Sequence, residues 1–228
     1  MLVLSVLSHR GFHWQVPENT LEAFQAALEI GVDGNETDVR LSADDALVLC
    51  HDRVAPNGRE IAALTREELA GALGHPVPTL AEALDLSADV LWNIEIKTPR
   101  ALAPARRVLE RYAASRDLLV TSFWHSAIAE LGAASRLRRG LLFASRPPDA
   151  GSFLATLAAV PALDAVVWDY EVLDPQLLAL SAERGIRAFA YGVASRREHE
   201  SCRELGELGD LGLAGVITDF PQYLLGAT

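Results

Sequence analysis

Short apolar, β-branched runs alternate with amphipathic stretches along nearly the whole chain. The runs Leu2–Ser8, Gly34–Asp38, Leu91–Lys97, Leu118–Phe123, Gly140–Ala144, Ala165–Asp169, Ala188–Val193 and Gly215–Asp219 read as buried strands. Between them, helical spacing covers Thr20–Ile30, Leu80–Leu86, Pro104–Ala114, Ser126–Ala134, Ser152–Val160, Pro175–Arg184 and Arg196–Leu208. Strand and helix in strict alternation predict an α/β fold with a parallel sheet. Eight such units in 228 residues fit a small (β/α)₈ TIM barrel.

One strand-like run, Ala46–Cys50, falls outside that alternation. Only Ser42-Ala43-Asp44-Asp45 separates it from Asp38–Leu41, far less than the dozen residues a parallel crossover needs. It is therefore predicted to fold back as a β-hairpin extending the second barrel strand. A turn centred on Asp44-Asp45 brings His51 back beside Glu36 and Asp38. The first helix carries its own punctuation. Asn19 is the expected N-cap, with Glu22 closing a capping box. Leu21, Phe24, Ala27 and Leu28 form one apolar stripe, and Gly31 is the stop. No internal repeat, low-complexity tract or linker interrupts residues 1–228, which read as a single domain.

Half the chain is hydrophobic, which excludes a disordered segment, and the formal charge is −11. That charge argues against a nucleic-acid partner, since phosphate backbones are gripped by clustered Lys and Arg. It also weakens adsorption to anionic membranes. No stretch reaches the roughly 20 apolar residues of a membrane span, and Met1 to Leu7 lacks the features of a secretion signal. Cytoplasmic localisation follows as the expectation, with Cys50 and Cys202 as buried, reduced thiols. Of the 20 basic residues, only Lys97 is a lysine. A chain that otherwise uses Arg for every cation has a reason for that exception.

Active sites of (β/α)₈ barrels lie at the carboxyl ends of the strands. Polar residues concentrate there: His9-Arg10-Gly11, Glu36-Thr37-Asp38, His51-Asp52, Glu95-Ile96-Lys97 and Thr218-Asp219. Glu36 and Asp38 share a face because strand side chains alternate, and so do Glu95 and Lys97. Carboxylates crowded on one face repel unless a cation lies between them. Three carboxylates without a thiol describe a hard, oxygen-rich site for Mg²⁺ or Ca²⁺. Lys97 and Arg10 add fixed positive charge suited to a phosphate group. His9 and His51 remain for proton transfer near neutral pH. Together these parts suit cleavage of a phosphate ester.

The ordered motifs resemble the glycerophosphodiester phosphodiesterase family, in its short bacterial single-domain form. The resemblance rests on His9-Arg10-Gly11 followed by Pro17-Glu18-Asn19-Thr20 and Ala23-Phe24, then on Gly31-Val32-Asp33 and Glu36-Thr37-Asp38-Val39. It continues through Val48 with His51-Asp52, Pro78-Thr79-Leu80 and Asn93-Ile94-Glu95-Ile96-Lys97, and ends on Gly215-Val216-Ile217-Thr218-Asp219-Phe220-Pro221. It implies a TIM barrel of the phospholipase C-like phosphodiesterase type that hydrolyses glycerophosphodiesters to glycerol 3-phosphate and an alcohol. It further implies a divalent cation on Glu36, Asp38 and Glu95, general acid–base roles for His9 and His51, and phosphate held by Arg10 and Lys97.

The chain departs from the family pattern at three places. Asn35 replaces a usually apolar residue before Glu36. Ala55-Pro56-Asn57-Gly58 replaces an Arg-Thr-Thr-like segment, and the stretch from Arg53 to Val77 leaves little room for a cap domain. A late Trp-containing strand appears as Ala190-Tyr191-Gly192-Val193. All three bear on substrate preference and none on the metal and histidine set.

Blander roles compete with these. Arg10 could simply pair with Glu18, and Asp52 could simply orient His51. His13 and His125 fall in loops over the expected mouth as candidate substrate contacts, whereas His75 and His199 are expected in solvent. Trp168, Asp169 and Tyr170 suit core packing, and the acidic stretch at Glu204, Glu207 and Asp210 suits a solvated face. Phe12, Trp14 and Trp124 could form an apolar entry wall, which a lysophospholipase D-type lipid phosphodiesterase would need. Asp219 could either touch the site or close the barrel. A non-catalytic phosphodiester-binding barrel is the third reading, and it normally lacks a histidine or a carboxylate of this set.

Overall fold

Among the described residues the alternation is realised as nine strands, eight of them parallel and closed into a ring. The computed structural model describes residues 4–132, 135–208 and 212–226. The strands are β1 (Ser5–His9), β2 (Gly34–Leu41), β3 (Leu47–Leu49), β4 (Leu91–Ile96), β5 (Asp117–Ser122), β6 (Arg138–Phe143), β7 (Ala165–Asp169), β8 (Arg187–Tyr191) and β9 (Gly215–Thr218). The hydrogen-bonded order is β1-β9-β8-β7-β6-β5-β4-β2, and a further β1–β2 pairing closes the barrel. β3 pairs antiparallel with β2 as the expected hairpin, with Leu41 opposite Leu47 and Asp45 in the left-handed conformation at the turn (φ 59°). Leu2 and Val3 of the first expected strand, Ala133 and Ala134 of one expected helix, and Asp210 lie outside the described residues.

Because the side-chain period is 2, each barrel strand offers one face to the interior and one to the helices. Leu7, Leu91, Leu119, Leu142, Val167, Phe189 and Ile217 fill the interior, below the strand ends. Gly34 sits among them because a Cβ there would come within 2.5 Å of the Leu91 carbonyl oxygen. The outward face packs on α1 (Leu21–Glu29), α3 (Leu80–Leu84), α4 (Pro99–Tyr112), α5 (His125–Glu130), α6 (Ala150–Ala158), α7 (Pro175–Ala182) and α8 (Arg196–Gly206). Phe24 of α1 meets Trp92 of β4 edge-to-face, with ring centroids 5.2 Å apart. Such a pair adds about 0.5–1.5 kcal/mol beyond the area it buries. A third cluster, including Val48, Ile61, Leu64, Leu69 and Val77, packs the hairpin under a short lobe that contains α2 (Arg66–Leu73).

Several expectations need correction. The N-cap of α1 is Thr20, whose hydroxyl accepts from the Ala23 amide, rather than Asn19. Asn19 instead adopts a left-handed backbone (φ 55°), a conformation Asn tolerates, and turns its amide toward β2. The capping box expected from Asn19 and Glu22 is therefore replaced by the single Thr20 cap. Helix α4 begins at Pro99, five residues before the expected Pro104. Pro99 takes the first helical position, where a missing N–H is harmless, while Pro104 forgoes one bond to the carbonyl of exposed Arg100. Helix α2 and the short C-terminal helix α9 (Gln222–Leu225) were not expected at all. His199 is not in solvent: it is 1% exposed, on the inner face of α8 with Cys202 and Gly206. Its ring nitrogens lie 2.7 Å from the Ser195 carbonyl and 2.8 Å from the Thr218 hydroxyl. Both cysteines are free and buried, as expected.

Candidate active site

The carboxyl ends of the strands open on a cavity of about 350 Å³. The strand register assembles its floor. His9 is level with Glu36, Glu36 with Asn93, and Asp38 with Glu95, so residues far apart in sequence become lateral neighbours. Glu36, Asp38 and Glu95 each present an oxygen within 4.8 Å of the others, and all three are buried. Burial pushes Glu36 well above the usual carboxylate range, and the charges of Asp38 and Glu95 push it further. Burial raises Glu95 too, against the pull of Lys97. Asp38 goes the other way: burial opposes its charge, but Lys97, Arg10 and the Asn19 amide outweigh that and hold it low.

Lys97 spans this cluster, with Nζ 2.9 Å from Glu95 Oε1 and 3.3 Å from Asp38 Oδ1. Burial disfavours its charge, but the two carboxylates more than compensate and raise its pKa. Asn19, misread as a cap, donates from Nδ2 to Asp38 Oδ2 at 3.0 Å and accepts from the Thr37 hydroxyl at 2.8 Å. It thereby fixes the Asp38 rotamer. Thr121 donates to Asn93 Oδ1 at 2.8 Å in the same layer. The sequence held a clue to Asn19: Thr20 beside it is an equally good cap, which leaves Asn19 free for another task.

Whether these residues fit a metal ion can be read from their donor atoms. All are carboxylate oxygens, the cluster is buried, and the three carboxylates crowd within 4.8 Å of one another. Buried oxygen donors crowded in an anionic site are the chemistry that a hard divalent cation satisfies. The set fits.

His9 and His51 both line the cavity. His9 directs Nε2 toward Glu36 Oε2 at 3.9 Å and places Nδ1 2.7 Å from Asp219 Oδ1. His51 is brought in by the hairpin, as the turn geometry predicts. The Cys50 amide donates to the Asp38 carbonyl at 3.0 Å, and Arg40 donates from Nε and Nη2 to the His51 carbonyl at 3.0 and 2.6 Å. His51 Nδ1 lies 2.9 Å from Asp52 Oδ1.

Arg10 does pair with Glu18, and it also reaches the carboxylate cluster. Nη1 donates to both Glu18 oxygens at 3.0 Å, while Nε sits 3.2 Å from Asp38 Oδ2. Burial lowers its pKa, but Asp38, Glu18 and Glu36 together raise it. Its backbone is left-handed (φ 55°), followed by Gly11 (φ 80°), whose absent Cβ lets the loop lie against Ala23.

His13, offered as a substrate contact, lies 3.2 Å from Asp219 Oδ1 through Nε2. Neither it nor the other such candidate, His125, lines the cavity; His125 Nε2 is 2.8 Å from the Leu142 carbonyl and its ring packs on Phe143. Trp14 and Trp124 are exposed at the rim, and Trp168 is core. Phe123 stands edge-on to Tyr191 with centroids 6.1 Å apart. Among the described residues, no helix is long and apolar enough to cross a membrane.

Comparison with known proteins finds relatives that match the chain along nearly its whole length. A glycerophosphodiester phosphodiesterase from Caldanaerobacter subterraneus subsp. tengcongensis is 29% identical, the match covering 96% of this chain and 96% of that protein. The crystal structure of a glycerophosphodiester phosphodiesterase from Thermotoga maritima superposes with a TM-score of 0.83 at 27% identity, over 99% of this chain and 98% of that one. An Oleispira antarctica phosphodiesterase, solved with its product sn-glycerol-3-phosphate, shares the fold at a TM-score of 0.80 and 22% identity, over 99% of this chain and 96% of that one. The model of the glycerophosphoryl diester phosphodiesterase family matches residues 9–223. With nearly its full length matched, the chain belongs to the glycerophosphoryl diester phosphodiesterase family of hydrolytic enzymes.

Proposed function

We propose that this chain, as a single domain, hydrolyses small glycerophosphodiesters to glycerol 3-phosphate and an alcohol. The observation that carries the reading is one cavity lined by Glu36, Glu95, Lys97 and two histidines, with Asp38 buried against the two glutamates. Glu36, Asp38 and Glu95 would hold a divalent cation, Mg²⁺ or Ca²⁺. Such an ion supplies Lewis acidity toward the phosphoryl oxygens.

The chain's own residues do the rest. Lys97, fixed by two carboxylates, presents its ammonium to the non-bridging oxygens, where charge redistributes as the phosphorus–oxygen bonds exchange. Arg10 reinforces it from the opposite side of Asp38. One of His9 and His51 takes the proton of the attacking hydroxyl, and its oxygen bonds to phosphorus. The other delivers a proton to the departing alcohol oxygen as the ester bond breaks. The exposed Trp14 and Trp124 favour a second substrate class, lysophospholipids, whose acyl chain they could cover. Comparing turnover of glycerophosphocholine and a lysophospholipid distinguishes the two. Greater kcat/KM on glycerophosphocholine is expected. Exclusive turnover of the lysolipid overturns the primary reading, and turnover of neither overturns hydrolysis itself.

A further inference from the structure

Asp219 has no assigned role, yet it is tied to two histidines at once. It follows β9 directly, and the β1–β9 register sets Ser8 beside Thr218, so His9 and Asp219 are the next rung at the carboxyl end. Asp219 Oδ1 lies 2.7 Å from His9 Nδ1 and 3.2 Å from His13 Nε2. We propose that Asp219 is a positioning residue for His9 and that His13 in turn holds Asp219 in place.

A carboxylate only accepts hydrogen bonds, and a neutral imidazole has one N–H. The short contact therefore puts the proton of His9 on Nδ1 and leaves Nε2 as the free atom. Nε2 is the nitrogen that points toward Glu36 and the cavity. In the other tautomer the acceptor nitrogen would face Asp219, where two lone-pair atoms repel, and proton uptake from the cavity side would be blocked. Asp219 cannot hold this orientation by burial, since its side chain is 43% exposed and could rotate into solvent. The second donor, His13 Nε2–H, occupies the remaining lone pair of the same oxygen. His13 comes from the β1–α1 loop, so two histidines from the start of the chain grip one carboxylate near its end. Burial opposes charge on Asp219, but the hydrogen bonds from His13 and His9 outweigh it and keep the group ionised.

This role rests on His9 acting in proton transfer, as proposed above, so the test reads the imidazole as well as turnover. Imidazole ¹⁵N shifts of labelled protein, with His9 assigned by its loss in His9→Gln, report the tautomer without any substrate. The wild type should show His9 protonated on Nδ1. Asp219→Ala should give a mixture of tautomers and lower kcat by about 10²-fold, with KM for glycerophosphocholine changed less than about threefold. Asp219→Asn, which keeps the shape and can still accept from Nδ1 through its carbonyl, should fall between, and it preserves the test if the alanine variant does not fold. His13→Ala should keep the Nδ1 tautomer but cost about 3- to 10-fold in kcat. An Nε2-protonated His9 in the wild type overturns the proposal. So does an unchanged tautomer in both Asp219 variants, or an effect confined to KM, which would make Asp219 a substrate contact. Absence of turnover in the wild type would sink the functional reading instead, while the tautomer result would still decide the role of Asp219.

Discussion

The two histidine–aspartate pairs at the cavity are built in opposite ways. His51 and Asp52 are adjacent in sequence, and Asp52 is 78% exposed, so that pair is local and open to water. His9 and Asp219 are 210 positions apart and meet only because β1 pairs with β9. Water screens the first pair, whereas the closed barrel brings the second together and His13 holds it. His51 compensates through its main chain: the carbonyl is gripped by buried Arg40 and the preceding amide by β2. One histidine is thus oriented through its ring, the other through its backbone.

The largest effects should come from the rings themselves. His9→Ala and His51→Ala should each lower kcat by about 10²- to 10⁴-fold, with divalent-ion binding by calorimetry unchanged. Near-normal kcat in either variant removes that histidine from proton transfer. Next comes Lys97→Arg, the swap that the rest of the chain's composition favours. A planar guanidinium cannot reproduce the compact bridge between Asp38 and Glu95, and kcat should fall about 10- to 100-fold. Full activity in that variant would reduce the lone lysine to an accident of composition.

The contrast between the pairs is sharpened by the aspartates. Asp52→Ala should cost at most about fivefold in kcat, the worth of an exposed ion pair, against the much larger loss expected at Asp219. Equal losses would mean that the two pairs are equivalent despite their construction. The smallest effect lies behind the site. Burial lowers the pKa of His199 below 6.5, so the unfolded chain takes up a proton before the folded one does. The associated stability is full above about pH 6.5 and is lost as pH falls through the folded-state value. Thermal melts should show the wild type losing Tm below pH 6.5 more steeply than His199→Gln, and parallel curves would refute this.

Much of this arrangement is legible in the sequence, for a physical reason. A strand period of 2 places Glu36 with Asp38 and Glu95 with Lys97, and a connection too short to cross over forces His51 back onto β2. Those inferences need only local geometry. What escaped depends on long-range closure or on competition between neighbours. Asp219 could not be assigned because only the β1–β9 register brings it to His9. Asn19 and Thr20 are both good caps, and tertiary contacts with Asp38 and Thr37 decided between them. His199 sits on a strongly polar helix whose few buried residues, at spacings of three and four, are easily mistaken for solvent positions. Pro104 looks like a helix start until Pro99 is seen to occupy that place.

Metal dependence is read from release of glycerol 3-phosphate from a panel of glycerophosphodiesters, before and after exhaustive chelation. Chelation should abolish release and Mg²⁺ or Ca²⁺ should restore it, with restoration lost in Glu36→Gln. Release that persists undiminished in metal-free protein would rule out a cation on Glu36, Asp38 and Glu95 as part of the hydrolytic site.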